Sequence, residues 1–487
     1  MTSDPQVPDA TGTRRFAANA AWLIAAEIAG KLASFVFAVI VARGLGPLAY
    51  GYFNIAISLG GLVLAFGSLG LNTVVTTEIV RRRDALSEIF SSALVARLGI
   101  DLVALVGTIA CAPLLVQEPV AVAVVGLVGT ALLIDDISSL IGAVFKAVER
   151  MRFHALAIFT NRLVSTVLAV VAVAWGGDIL AVCVVYLVGS VAGAVFATFS
   201  LRRNFSDLKL RAVTRMRMTQ LLRAGAPLGV ASILNLAVFR LDSLLLQVLK
   251  GPIAVAMYGV AFRFFDSLTF LAYSLTSAAL PRLARDSRES EPVRAFQLTS
   301  SLLLVAYLPI AAGTAFAGRW VVVTIFSARY EAAAASTTWL AAGVLFYGIA
   351  YLGRVALIAA DRRREVPRIA AGALVLNVAL NLMLIPRLGF EGAAIATFFT
   401  EIVDMTLTLV FLRRALPGLR PARVTLVPVV ATLVMTIVLM ASGVEGPNAI
   451  ALGAPVYLVA LIGSGYLIAR DQSRKALSVL VPRLAAR

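Results

Sequence analysis

The lysines and arginines of this chain fall in alternate gaps between long apolar stretches, and that spacing restricts it to folds that cross a membrane repeatedly. The basic gaps hold Arg14 and Arg15, Arg81 to Arg83, Lys146 with Arg150 and Arg152, and a run from Arg202 to Arg223. They continue with Arg282, Arg285, Arg288 and Arg294, then Arg362 to Arg364 with Arg368, then Arg413, Arg414, Arg420 and Arg423, and a tail from Arg470 to Arg487. The intervening gaps hold only Arg43, Lys250, Arg319, Arg329 and Arg387. Positive flanks stay cytoplasmic, so both termini are expected in the cytoplasm. Hydrophobic residues make up 60% of the chain against 14% charged, more apolar surface than one soluble core accounts for.

A net charge of +17 would suggest an anionic partner such as nucleic acid. Here the excess lies along one predicted membrane face, where anionic lipid headgroups compensate it, and no basic segment is interleaved with stacking aromatics. No nucleic-acid partner is expected. Cys111 and Cys183 lie within apolar runs and form no metal-binding spacing; the lone His154 reads as an interfacial residue at a helix start. No metal and no cofactor are predicted. The first apolar run follows a polar leader without a small-residue cleavage site, so it reads as a retained anchor.

Runs of the length that crosses about 30 Å of hydrocarbon cover 20–42, 53–75, 89–115, 119–144, 153–175 and 179–201. A second set covers 227–249, 254–280, 298–316, 339–360, 369–388 and 393–412, and a terminal pair covers 424–441 and 450–468. The expected fold is an all-α integral membrane protein with fourteen transmembrane helices: two pseudo-symmetric six-helix lobes and a C-terminal helix pair. The corresponding domains are 1–201, a basic cytoplasmic connector at 202–226 lying on the leaflet, 227–414, and 415–487 with the tail. The lobes read as copies. Gly46-Pro47-x-Ala49-Tyr50-Gly51 recurs loosely as Gly251-Pro252-x-Ala254 with Tyr258-Gly259, and Ala147-Val148-Glu149-Arg150-x-Arg152 recurs as Ala359-Ala360-Asp361-Arg362-x-Arg364. An even number of spans between copies gives both one orientation, with a central cavity between lobes as the expected site.

The informative chemistry lies inside the spans. Candidate cations are Lys31, Arg97, Arg162, Arg240, Arg263 and Arg354; candidate acids are Glu27, Asp101, Asp135, Asp136, Asp242, Asp266, Glu401 and Asp404. Each would cost about 3 kcal/mol facing lipid at mid-helix, so they must face protein or water. Glu27 with Lys31, Arg97 with Asp101, and Arg263 with Asp266 sit three or four residues apart and share a helix face; Arg240 and Asp242 do not. Internal ion pairing that positions helices explains any single pair. A set of arginines in a hydrated cavity also suits a phosphate or diphosphate, whose oxygens a guanidinium binds as a fork. The acids then balance the empty cavity's charge or carry coupling ions. Asn377 and Asn381 read as interhelical hydrogen-bonding residues, and Pro227 and Pro281 as boundary hinges.

Ala42-Arg43-Gly44-Leu45-Gly46-Pro47-x-x-Tyr50-Gly51-x-Phe53-Asn54, with Gly70-Leu71, resembles the polysaccharide, or lipid-linked oligosaccharide, flippases of the multidrug/oligosaccharidyl-lipid/polysaccharide exporter superfamily. So do Arg240-x-Asp242, Tyr258-Gly259, Ala279-Leu280-Pro281-Arg282-Leu283, and Leu376-Asn377-x-x-Leu380-Asn381-x-x-Leu384-Ile385-Pro386 leading into Gly389-x-x-Gly392-Ala393-Ala394. The resemblance implies a secondary transporter of the bacterial cytoplasmic (inner) membrane that flips undecaprenyl-diphosphate-linked repeat units by alternating access. The lipid tail would stay in the bilayer, with a polysaccharide polymerase and glycosyltransferases as neighbours in the same biosynthesis. Lipid II-type flippases share the architecture and the diphosphate. A cation-coupled multidrug exporter, which would use the acids, typically has twelve spans and fewer cavity arginines. A membrane glycosyl polymerase would need a large outer loop, and an ATP-driven pump a G-x-x-x-x-G-K-[ST] loop; neither is in the chain, and no catalytic residue is expected.

Overall fold

The computed structural model describes residues 29–68, 70–205, 213, 215–285, 290–419 and 425–468. Every regular element among them is helical. In lipid no water satisfies backbone N–H and C=O groups, so each apolar segment must bond to itself. The helices are α1 (29–45), α2 (Pro47–Ser68), α3 (Leu71–Arg81), α4 (Leu86–Leu115), α5 (Pro119–Ala147), α6 (Met151–Ala174) and α7 (Ile179–Asn204). They continue with α8 (Arg215–Lys250), α9 (Pro252–Leu283), α10 (Glu291–Phe326), α11 (Ala333–Ala359), α12 (Glu365–Ala415), α13 (Leu426–Ser442) and α14 (Pro447–Ile468).

Ten of the described helices are long and apolar enough to cross a membrane. The remaining predicted spans fall on α1, whose predicted beginning lies outside the described residues, on α8, on the 17-residue α13, and on the second arm of α12. α12 is broken at Gly389, with φ 62 and ψ −135, a conformation open to a residue without Cβ. The sequence reading erred at 53–75, expected to be one span: the chain divides it between α2 and α3, with Gly70 left-handed at φ 66. Pro227, expected at a boundary, falls inside α8, and Pro281 lies within α9.

By its internal contacts the chain forms two compact units, one through Leu244 and one from Leu245. The division falls within α8, beyond the connector expected at 202–226. From Arg215 that connector is already helix, and it is anchored in the first unit. Leu221 is buried with Leu71, Ile79, Ile89 and Phe145, and Arg217 reaches Glu78 of α3 at 3.3 Å and Glu88 of α4 at 3.7 Å. Residues 206–212 and 214, and the tail from 469, lie outside the described residues.

In the first unit α7 packs on α5 and α6, and α4 packs on α5 and α2. The α6–α7 contact is close because Gly189 and Gly193 put backbone against α6; a Cβ on Gly193 would stand 2.8 Å from that of Asn161. In the second unit α11 packs against α9, α10 and α12. The terminal pair packs on α10 through Met435, Leu439 and Ala449, and Tyr457 Oη donates to the carbonyl of Val305 at 2.8 Å.

The sequence repeat has a conformational counterpart. Gly46 (φ 83) and Gly251 (φ 82) each precede a proline that opens a helix. Glu149 (φ 60) and Asp361 (φ 58) each terminate a helix in the left-handed conformation. Behind them the Arg150 amide donates to Phe145 at 2.9 Å and the Arg362 amide to Leu357 at 2.8 Å, the same closing bond in both copies.

Candidate functional site

Each unit has a polar network inside its apolar helices. In the first, the predicted Arg97–Asp101 pair forms: Arg97 Nε donates to Asp101 Oδ2 at 3.1 Å, with both residues 0% exposed. Arg97 also ion-pairs with Asp136 of α5, a partner that helix spacing could not supply. One residue away, Asp135 accepts from Asn161 Nδ2 of α6 at 2.6 Å and has Arg162 and Ser190 as electrostatic neighbours. Arg162, half-buried, donates through Nη1 to Tyr186 Oη of α7 at 3.2 Å.

Lys31 of α1, also half-buried, lies at the same level. Gly30 faces Ile158 of α6, and Thr166 Oγ1 donates to the Ala33 carbonyl at 3.1 Å, so α1 runs along α6 on either side of Arg162. The close glycines of α7 lie against Asn161 and Ser165 of α6. Gly189-x-x-x-Gly193 was the available sequence signal, a small-residue spacing that brings membrane helices together. Glu27, expected to pair with Lys31, lies outside the described residues.

In the second unit Arg354 of α11 ion-pairs with Asp404 on the second arm of α12, and both are buried. Glu401, one helical turn before Asp404 and 2% exposed, is an electrostatic neighbour of Arg354 and Tyr347. The Arg354 guanidinium lies 5.7 Å from the centre of the Tyr347 ring. The Tyr347 and Tyr273 hydroxyls are 2.7 Å apart, and the Tyr273 and Tyr351 rings meet edge-on at 4.6 Å. These tyrosines were missed from the sequence; their signal was the helical spacing of Tyr347, Tyr351 and Arg354. Gly353 permits the close approach, since a Cβ there would stand 2.5 Å from Thr408 of α12.

Of the six predicted phosphate ligands, Arg97 and Arg354 are buried in ion pairs with carboxylates, and Lys31, Arg162, Arg240 and Arg263 are half-buried, Arg162 with Asp135 as an electrostatic neighbour. Asp242 is 0% exposed and Arg240 half-buried, as expected for residues on different faces of α8; Asp266 is half-buried on α9. His154 lies at the start of α6, as expected, and is buried with its ring against Gly142 of α5. Asn381 Nδ2 donates to Asn377 O at 2.9 Å and Oδ1 at 3.1 Å, which ties the two buried side chains together on α12. Among the described residues no three His, Cys, Asp or Glu side chains are grouped to hold a metal.

The fold has close relatives. It superposes on the inward closed conformation of lipid II flippase MurJ with a TM-score of 0.79 at 15% identity, covering 92% of this chain and 99% of that one. An inward-facing multidrug resistance MATE family transporter of the MOP superfamily gives a TM-score of 0.66 at 16% identity, covering 80% and 95%. In sequence, the EPS I polysaccharide export inner membrane protein EpsE of Ralstonia nicotianae is 31% identical over 175 residues. Its counterpart from Ralstonia solanacearum is 30% identical over 175 residues. Each alignment takes in 34% of this chain and 40% of the relative's length. The polysaccharide biosynthesis protein model matches residues 16–286, more than half of the chain. With multiple apolar helices and this match together, the chain is a multi-pass membrane protein that belongs to the polysaccharide biosynthesis protein family.

Proposed function

We propose that this chain is a secondary transporter that turns undecaprenyl-diphosphate-linked oligosaccharide repeat units from the inner to the outer leaflet of the bacterial cytoplasmic membrane. It would do so with fourteen crossings, both termini in the cytoplasm and no catalytic chemistry of its own. Family membership and the Ralstonia relatives named for polysaccharide export support the substrate class.

The observation that carries the reading is the half-buried pair Lys31 and Arg162, held at one level of the first unit by the α1–α6 contact. A guanidinium oriented by Tyr186 and an ammonium at the same depth form a receptor for a diphosphate: one gives a planar fork, the other a point charge. Arg240 of α8 and Arg263 of α9 are further half-buried cations. The buried ion pairs of Arg97 and Arg354 join α4 to α5 in the first unit and α11 to α12 in the second.

The test is flipping of a fluorescent lipid-linked oligosaccharide by the protein reconstituted in vesicles. Arg162→Ala is expected to slow flipping about 10- to 100-fold, the value of one charge-assisted hydrogen-bonded contact, with membrane insertion unchanged. Full activity of Arg162→Ala would remove the site, and an inactive wild type the function. Competition by lipid II, which shares the diphosphate, separates recognition of that group from recognition of the sugar.

A further inference from the structure

The charges of the first unit's interior do not balance around Arg97. This guanidinium, without exposed surface, faces two carboxylates: Asp101 through Nε at 3.1 Å and Asp136 through Nη2. Asp101 is 0% exposed, and its second oxygen, Oδ1, is buried with no hydrogen-bond donor against it.

Among the described residues, the helices packed on α4 supply no second cation to this pair; Arg217 of α8 is held by Glu78 and Glu88. α5 contributes Asp136 and Asp135, and Asp135 is engaged by Asn161 and Arg162. α2 carries no charged residue at all. The charged residues of α3 are Glu78 and Arg81 near its end, where Glu78 is held by Arg217. Asp136 is half-buried, its side chain 24% exposed, whereas Asp101 is sealed; two carboxylates sharing one guanidinium with one of them out of reach of water cannot both stay ionised cheaply, and a neutral acid at Asp101 removes the excess charge.

We propose that Arg97, Asp101 and Asp136 form a proton-binding site, in which the two carboxylates hold one proton between them on the buried Oδ1 of Asp101. Binding is the simple equilibrium of a carboxylic acid with carboxylate and proton, and release requires water to reach α4 and α5. That release accompanies turnover rests on the transporter reading above; the protonation itself does not.

The experiment is infrared spectroscopy of the purified full-length protein in lipid nanodiscs at neutral pH, followed by the flipping assay. A carboxylic-acid C=O band that shifts in heavy water is expected in the wild type. Asp101→Asn removes it, and so does Asp136→Asn, because Arg97 then faces a single carboxylate, which ionises. A band unchanged in both variants overturns the site, and so does its loss from the wild type on adding sodium ions, which would make the ligand a metal cation. Asn copies the shape of the neutral acid, so Asp101→Asn is expected to fold as the wild type does; failure to fold would show that the charge is required and overturn the proposal. In vesicles, Asp101→Asn is expected to lose the response of flipping to an imposed pH gradient, and a retained response overturns the coupled role. A wild type with the band but no flipping would defeat the transporter reading alone.

Discussion

Arg354 and Asp404 meet across two helices although 50 residues separate them, and the pairing matters chiefly for what its loss would leave behind. Replacing Arg354 by Ala seals Asp404 and Glu401 in the interior without their shared cation, at an expected cost of about 3–5 kcal/mol. Combining Arg354→Met with Asp404→Leu and Glu401→Gln removes all three charges and is expected to recover most of that loss. Denaturation of the purified protein by a stronger detergent or by heat measures both, and equal destabilisation in the two variants would mean the pair is not an isolated unit. Helix spacing could reveal Arg97 with Asp101 because the two share one face. It could not reveal Asp136 or Asp404, whose positions depend on how helices pack, nor decide which intramembrane arginines are buried and which half-buried.

At the scale of helices, packing turns on a few small residues. Gly193→Ala is expected to cost about 1–3 kcal/mol by overpacking α6 at Asn161. Gly107→Ala, with open space around it on α4, is expected to be neutral or to stabilise by up to about 1 kcal/mol. Melting curves of the two variants should differ accordingly. Asp361→Gly removes a Cβ from a left-handed position and is expected to stabilise the turn by about 1 kcal/mol, read in the same curves. Most helix positions were legible because each apolar run must satisfy its own backbone. The break between α2 and α3 was not, since Gly70 looks in sequence like any other membrane glycine. Nor was the start of α8 legible: the charges around Leu221 and Leu222 describe a surface segment until Glu78 and Glu88 are seen to receive Arg217.

For the molecule as a whole, an inside-negative potential favours outward passage of an anionic headgroup by about 2.3 kcal/mol per charge per 100 mV. Collapsing the potential in vesicles that flip the lipid-linked substrate is expected to slow net outward flipping, and an unchanged rate would exclude that contribution. The proposed topology is checked by single cysteines in a background with Cys111 and Cys183 replaced: position 83 should label only from the cytoplasmic side and position 445 only from outside. Membrane class was legible from charge and hydropathy, but the sugar of the proposed substrate was not, because a diphosphate receptor of the kind proposed would be indifferent to what hangs beyond it. The paired turns at Glu149 and Asp361 tie shape to sequence: each sets an acid where such a bend favours glycine, and each is followed by an arginine whose amide makes the closing bond. A corner built this way in both units holds its angle by main-chain bonding and not by the freedom of a glycine.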